Sequence, residues 1–380
     1  MQQLVYIAPL DRQVAIQHLT LWFGAESPAL SSGPQTLFLG RTAELPLGVR
    51  QGLSQFQANF FSQREDFCLV VGFLDWPPVR KFLSRQDPEF LLSLEQAALR
   101  PKPRFQLPHH NERIGPQVMG ILNLTPDSFF DGGLYQAKEL ALAQAEKLIK
   151  EGADWLDLGG ESTRPGSDPV SIEQETSRVL PVLQAIKQRW SIPLSVDTTK
   201  PEVAKLALEA GASMVNDVSG LDQPEEMLHW VNHFEAGYVL MHTQGTPKTM
   251  QLAPSYSHPV LDVFEFFEKK LLICKQQGLD STRILLDPGI GFGKLLVHNL
   301  ELLRLNAAWA SLGCQTLLGT SNKSFLSKAL DLPVSQRGAA SLSTQVLGYH
   351  SGADFFRVHQ VKETRQALDM VCAYQNIPEA

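Results

Sequence analysis

Polar side chains recur at one kind of place in this sequence of 380 residues: the ends of short apolar runs. Asn123 follows VMGIL (118–122), and Glu161 to Arg164 follow WLDLG (155–159). Asp197 closes PLSVD (193–197), Asn216 stands in SMVND (213–217), His242 closes YVLMH (238–242) and Asp287 stands in ILLDP (284–288). Ser321 to Ser324 follow QTLLG (315–319), and Arg357 and His359 lie in DFFRVH (354–359). Arg357 and His359 are two apart, so on a strand both point to one face. A few well-placed cations suffice for a local anion site. No Ser-His-Asp arrangement or reactive-cysteine signature accompanies them, so a protein nucleophile is not indicated. Taken singly, a strand-end Asp is about as often a helix N-cap as a ligand contact, and His359 alone could be a satisfied core histidine. Core packing would put apolar residues at these positions, so the group as a whole reads as a site.

The elements that must position these residues alternate in type. The eight apolar runs are short and nearly continuous, as expected of parallel strands covered on both faces. Helix-like stretches lie between them: 137–150, 172–188, 259–276, 299–310 and 363–374. Eight strand–helix repeats predict a (β/α)8 TIM barrel over 118–380, whose active site sits at the carboxyl ends of the strands. A doubly wound open sheet is the alternative, although no G-x-G-x-x-G opens the first helix. Residues 102–117 hold three prolines between two apolar regions and read as a linker. The adjacent His109 and His110 within it lack a Cys or acidic partner at helical spacing, so the linker role is preferred to metal ligation. Residues 1–101 form a separate N-terminal domain of unknown function, α/β or α+β. It opens on a strand-then-helix pattern, and FCLVVGF (67–73) reads as another strand.

Composition sets outer bounds. The chain is 43% hydrophobic and 19% charged with a net charge of -7, which suits a soluble globular protein. No basic run suggests nucleic acid, and no stretch reaches the ~18 apolar residues of a membrane span. The N-terminus resembles neither a signal nor a transit peptide. Cys68, Cys274, Cys314 and Cys372 are scattered without metal-ligand spacing, as buried small hydrophobes in a reducing compartment would be. The expected location is the cytoplasm.

The strand ends resemble the dihydropteroate synthase family. MGILNLTPDSFFDGG (119–133), GGESTRPGS (159–167), SVDTTKPEVA (195–204), VNDVSG (215–220), MHTQGTPKTMQ (241–251), DPGIGFGK (287–294), GTSNKS (319–324) and RVHQV (357–361) come in the family's order. Any one is a weak signal; eight in order over the barrel are not. The resemblance covers none of the first ~110 residues, where the Gly-Ser-Asn start and paired aspartates of the pyrophosphokinase fused to some family members are missing.

The resemblance implies the condensation of 6-hydroxymethyl-7,8-dihydropterin diphosphate with 4-aminobenzoate, giving 7,8-dihydropteroate and diphosphate in folate biosynthesis. It implies a pterin site of Asp197, Asn216, Met241, Asp287, Phe292, Lys323 and Arg357. A carboxylate such as Asp287 can accept from an exocyclic amine and a ring N–H together, while an Asn can both donate and accept. Asn123, Thr163, Arg357 and His359 are implied for the diphosphate, with Asn123 also binding Mg²⁺, an ion that takes few protein oxygens. Thr163, Arg164, Pro165 and Ser324 are implied for 4-aminobenzoate, the first three on a loop that closes over the site. Lys323, Arg357 and His359 are the implied catalytic groups, and a homodimer is implied as well. The sequence departs from the family at Asn322, where an Arg is usual, at Gln360, where an acid is usual, and at Phe130. Two other readings compete: a methyltetrahydrofolate-dependent methyltransferase, which does not need the S-x-K-S and R-V-H motifs, and a pterin-binding protein without catalysis.

Overall fold

The computed structural model describes residues 3–10, 35–41, 59–63 and 66–72, several residues between 79 and 85, and then 104–108, 113–125, 134–164 and 166–375. Two compact units form. One is Met1–Lys102 with Ser257–Glu265 and Ala307–Gly313; the other is Pro103–Tyr256, Phe266–Asn306 and Cys314–Ala380. In the first, β1 (Gln3–Leu10), β2 (Gln35–Arg41), β3 (Asn59–Gln63) and β4 (Asp66–Gly72) make a sheet of order β1-β2-β4-β3. Every pairing among these strands is antiparallel, so this sheet holds no parallel βαβ pair. The helix expected after β1 falls outside the described residues.

The second unit is a closed barrel of parallel strands: β5 (Gln117–Asn123), β6 (Trp155–Gly159), β7 (Leu194–Asp197), β8 (Met214–Asp217), β9 (Gly237–Met241), β10 (Ile284–Asp287), β11 (Gln315–Leu318) and β12 (Phe355–Val358). Closure comes from β12 against β5, with Arg357 opposite Met119. The expected (β/α)8 fold is therefore present, and the open sheet is excluded. Most residues of these strands are buried, which is why each reads as an apolar run without alternation. The helices in chain order are α1 (Leu134–Lys150), α2 (Ile172–Arg189), α3 (Pro201–Glu209), α4 (Pro224–His233), α5 (Pro259–Gln276), α6 (Leu296–Arg304), α7 (Ser324–Leu330), α8 (Gly338–His350) and α9 (Val361–Gln375). Local sequence starts them: Ser171 and Gln174 form a capping box for α2, and Pro occupies the first turn of α3 and α4, where its missing N–H costs no hydrogen bond. Among the described residues no helix is long and apolar enough to cross a membrane.

Inward positions alternate along each strand and stack in layers. Met119, Trp155, Met214, Val239, Leu285, Leu317 and Phe355 form one buried apolar layer together with Phe105 and Leu107. Two residues further along four of the same strands the layer turns polar: Asp157, Asn216, Asp287 and Arg357. The layer below is a floor, and this is the start of the site.

The segment read as a linker supplies part of that floor. Phe105 is 1% exposed, and its ring centroid lies 5.4 Å from Phe355 and 6.3 Å from Trp155. Its backbone N–H donates to Gln315 Oε1 at 2.8 Å. Gly237 makes the room, since a Cβ there would come within 2.7 Å of the Phe105 ring. Chain that carries core residues is not a free tether. His109, His110 and Phe130 lie outside the described residues. Cys274 and Cys314 are buried thiols whose pKa values burial pushes up to about 12, so both behave as small hydrophobes.

Candidate active site

Arg357 stands at the centre of the polar layer. Its Nε donates to Asp157 Oδ2 at 2.6 Å and its Nη2 to Asp197 Oδ2 at 2.6 Å. Asp157 is fully buried and Asp197 nearly so. Burial opposes the Arg357 charge, but the two carboxylates outweigh it and raise its pKa further. Burial drives the Asp197 carboxyl up to about 7 even though Arg357 pulls it down. Asp157 Oδ2 also accepts from Asn216 Nδ2 at 3.2 Å. Asp157 was not among the expected site residues. It sits mid-strand, two positions before the strand end where polar groups were sought, although an acid inside the run WLDLG and in step with Trp155 and Gly159 is itself a signal.

A second cluster joins Asp287 to Lys323. Asp287 is 4% exposed and accepts from Gly289 N–H at 2.7 Å. Lys323 donates to Ile290 O at 2.5 Å and lies 4.6 Å above the Phe292 ring centroid. Burial lowers its pKa to about 8, with Asp287 working the other way; burial raises that of Asp287. The loop 288–294 thus shapes both groups. Lys294 locks it, donating to Phe292 O at 2.9 Å and sitting 2.9 Å from His242 Nδ1. Sequence reasoning missed Lys294, whose near-complete burial is unusual for the residue type. His242 reads differently too: it serves this loop, buried and neutral, its pKa held far down by burial and then by Lys294.

Around the rim, Met241 ends β9 opposite Asp287 and is buried. A Cβ built on Gly159 would lie 3.7 Å from Asn123 Oδ1 and 3.6 Å from Asp197 Cβ, so this glycine keeps open the space between Asn123 and Asp197 on the flanking strands. At Gly319 the same construction reaches Lys323 Nζ at 3.7 Å and Arg357 Cβ at 4.0 Å. His359 is exposed and sits 3.0 Å from Ser321 Oγ through Nδ1. Partial enclosure, then Arg357, Arg164 and Lys323, lowers its pKa to about 4, so the imidazole is neutral at pH 7. Thr163 is half-buried and Arg164 exposed; Pro165 lies outside the described residues. Their loop is tied down by Lys200, which pairs with both Glu161 and the buried Glu175. Ser324 is exposed and is the first residue of α7, while Lys323 takes the N-cap position. Asn322 has φ 58°, a left-handed conformation that Asn tolerates better than most residues, and its carbonyl accepts from Arg337 Nη1 at 3.0 Å. Gln360 lies against Gly338, where a Cβ would approach its amide to 3.0 Å.

Comparison with known proteins matches this geometry to one group. The family described as "Pterin binding enzyme" matches residues 119–359. The dihydropteroate synthase of Escherichia coli (strain K12) is 43% identical over 256 residues, 67% of this chain and 90% of that protein. That of Synechocystis sp. is 42% identical over 256 residues, 67% of this chain and 87% of that protein. Among solved structures, Yersinia pestis dihydropteroate synthase with a sulfonamide drug complex has TM-score 0.67 and 40% identity, covering 71% of this chain and 98% of the other. Xanthomonas albilineans dihydropteroate synthase with 4-aminobenzoic acid has TM-score 0.65 and 41% identity, covering 70% and 95%.

Proposed function

Because the chain belongs to the pterin-binding enzyme family, as a dihydropteroate synthase, we propose a division of labour among the residues of its barrel mouth. The reaction joins 6-hydroxymethyl-7,8-dihydropterin diphosphate to 4-aminobenzoate, releasing diphosphate. The observation that carries the assignment is the constellation of buried Asp197, Asn216 and Asp287 with half-buried Lys323 and Arg357, polar groups gathered above an apolar floor. Asp287 receives the amine and ring N–H of the pterin edge, a paired charge-assisted contact. Lys323 donates to the ring carbonyl and ring nitrogen. Asp197 and Asn216 complete the edge, and Met241 and Phe292 bound the ring.

Bond breaking at the pterin methylene leads, helped by the electron-rich ring. Arg357 lies over the pterin and faces the departing diphosphate, where a preorganised cation lowers the barrier. His359, neutral at pH 7, donates a ring N–H to the same anion. Thr163 adds a hydroxyl. The aniline nitrogen then attacks, with Ser324 and the loop of Thr163, Arg164 and Pro165 holding 4-aminobenzoate. Among the described residues no cluster of three or more His, Cys, Asp or Glu forms a metal site. Mg²⁺ needs none: it keeps waters and substrate phosphates and takes one or two protein oxygens. Asn123 Oδ1, facing the space above Gly159, fits that donor set, and Asn123 would hold the ion. Bound there, the ion would neutralise charge on the diphosphate.

A homodimer is proposed from exposed apolar side chains on adjoining helices: Leu300 on α6, Leu330 on α7, Leu347 on α8 and Met370 on α9. The scattered thiols support a reducing cytoplasm as the compartment. The test of the whole reading is a product assay with pterin diphosphate, 4-aminobenzoate and Mg²⁺. Dihydropteroate formation, abolished by Asp287→Ala together with calorimetric pterin binding, is expected. Unchanged pterin affinity in Asp287→Ala would sink the site assignment, and pterin binding without product would mean a non-catalytic binder.

A further inference from the structure

We propose that Asp157 is a positioning residue that sets which atom Asn216 shows to the pterin and at the same time aims Arg357. A carboxylate only accepts hydrogen bonds. The amide edge of Asn216 that meets Asp157 Oδ2 at 3.2 Å must therefore be its NH₂. That choice does not depend on how oxygen and nitrogen are told apart. With the NH₂ engaged, Asn216 Oδ1 is left as the atom offered to a ligand, so the site calls for an N–H donor at that point of the ring. The same Asp157 oxygen takes Arg357 Nε at 2.6 Å, which leaves the guanidinium anchored from β6 as well as from Asp197 on β7. One fully buried carboxylate thus couples a neutral specificity group to a charged one. The inference rests on the pterin and diphosphate roles given above to Asn216 and Arg357.

The exchange of the two side chains tests it. In Asp157→Asn the amide pair at 157 and 216 can bond in either sense, so the face shown to the pterin is no longer fixed. Calorimetric affinity for 6-hydroxymethylpterin should fall roughly tenfold or more, the scale of a lost charged hydrogen bond. Affinity for inorganic diphosphate should fall too, while KM for 4-aminobenzoate stays within twofold. The double variant Asp157→Asn with Asn216→Asp restores a carboxylate–amide pair and again shows an oxygen to the ring; it should regain pterin affinity over the single variant. A purely structural Asp157 would give a shift in melting temperature without this selective pattern or its recovery. Asn216→Ala is run beside them. If Asn216→Ala loses pterin affinity but Asp157→Asn does not, the positioning role is wrong; if Asn216→Ala also keeps it, the site assignment itself is at fault. Should Asp157→Asn not fold, the exchanged pair carries the test, and parent-like diphosphate affinity with no pterin affinity in that pair would overturn the proposal.

Discussion

Lys323 has few places to put its charge: beneath it lies the Phe292 ring, beside it the Ile290 carbonyl, and Asp287 shares its cluster. Burial lowers its pKa to about 8. In the role proposed for it, a lysine that must be protonated to donate should bind pterin well below that value and less well above it. Pterin affinity in the free enzyme is expected to drop about tenfold for each pH unit above roughly 8. Lys323→Arg, whose charge persists, should flatten that limb, read by calorimetry across pH 7 to 10. Asn322 gives a second residue-level prediction. The family's usual Arg, introduced as Asn322→Arg, should lower KM for an anionic substrate by no more than roughly tenfold, and less at high salt. The left-handed backbone adds a cost the sequence did not reveal: φ 58° should make the variant less stable by about 1 kcal/mol, seen as a lower Tm. A large rise in kcat at constant KM would point instead to a catalytically impaired parent. Most of the polar residues that the structure gathers at the barrel mouth were legible at this scale because polar residues at strand ends have no packing reason to be there. Asp157 and Lys294 were not, because each is buried and its purpose is another side chain, which only the folded register discloses.

At the scale of elements, the eight barrel strands were readable from continuous apolar runs, and their observed bounds differ from the expected ones by a residue or so. Short helices such as α3 were less visible, since nine residues hold only about two and a half turns of pattern. The segment before β5 reads as a linker for a physical reason: prolines mark irregular chain, and irregular chain usually lies on the surface. Here it carries Phe105 into the barrel floor. Phe105→Ala should cost about 3–5 kcal/mol, as large aromatic truncations in packed cores do. Denaturant unfolding measures it, and kcat of the folded fraction at low temperature should change little because the polar layer lies above. A loss under 1 kcal/mol would return the segment to the status of a tether.

For the whole molecule, association is the open quantity. Leu330 is 57% and Leu347 57% exposed on neighbouring helices, with Met370 at 65%, more apolar surface than a lone helix face needs. Sedimentation equilibrium at micromolar concentration should give a dimer, and Leu347→Lys should shift it towards monomer without altering pterin affinity. A monomeric parent protein would remove the homodimer assignment. The barrel floor has a further effect, on the order of events. Phe105, Trp155 and Phe355 close the lower end, so the mouth is the way in, and Asp197, Asn216 and Asp287 lie inside it while Ser324 and Arg164 stand exposed at its rim. A guest at the rim blocks a guest bound for the interior, but not the reverse. With the proposed subsites, traffic through such a cul-de-sac is expected to run in sequence: the pterin should enter before 4-aminobenzoate, and initial-rate patterns should show compulsory order, with an excess of the second substrate slowing turnover by occupying an empty vestibule.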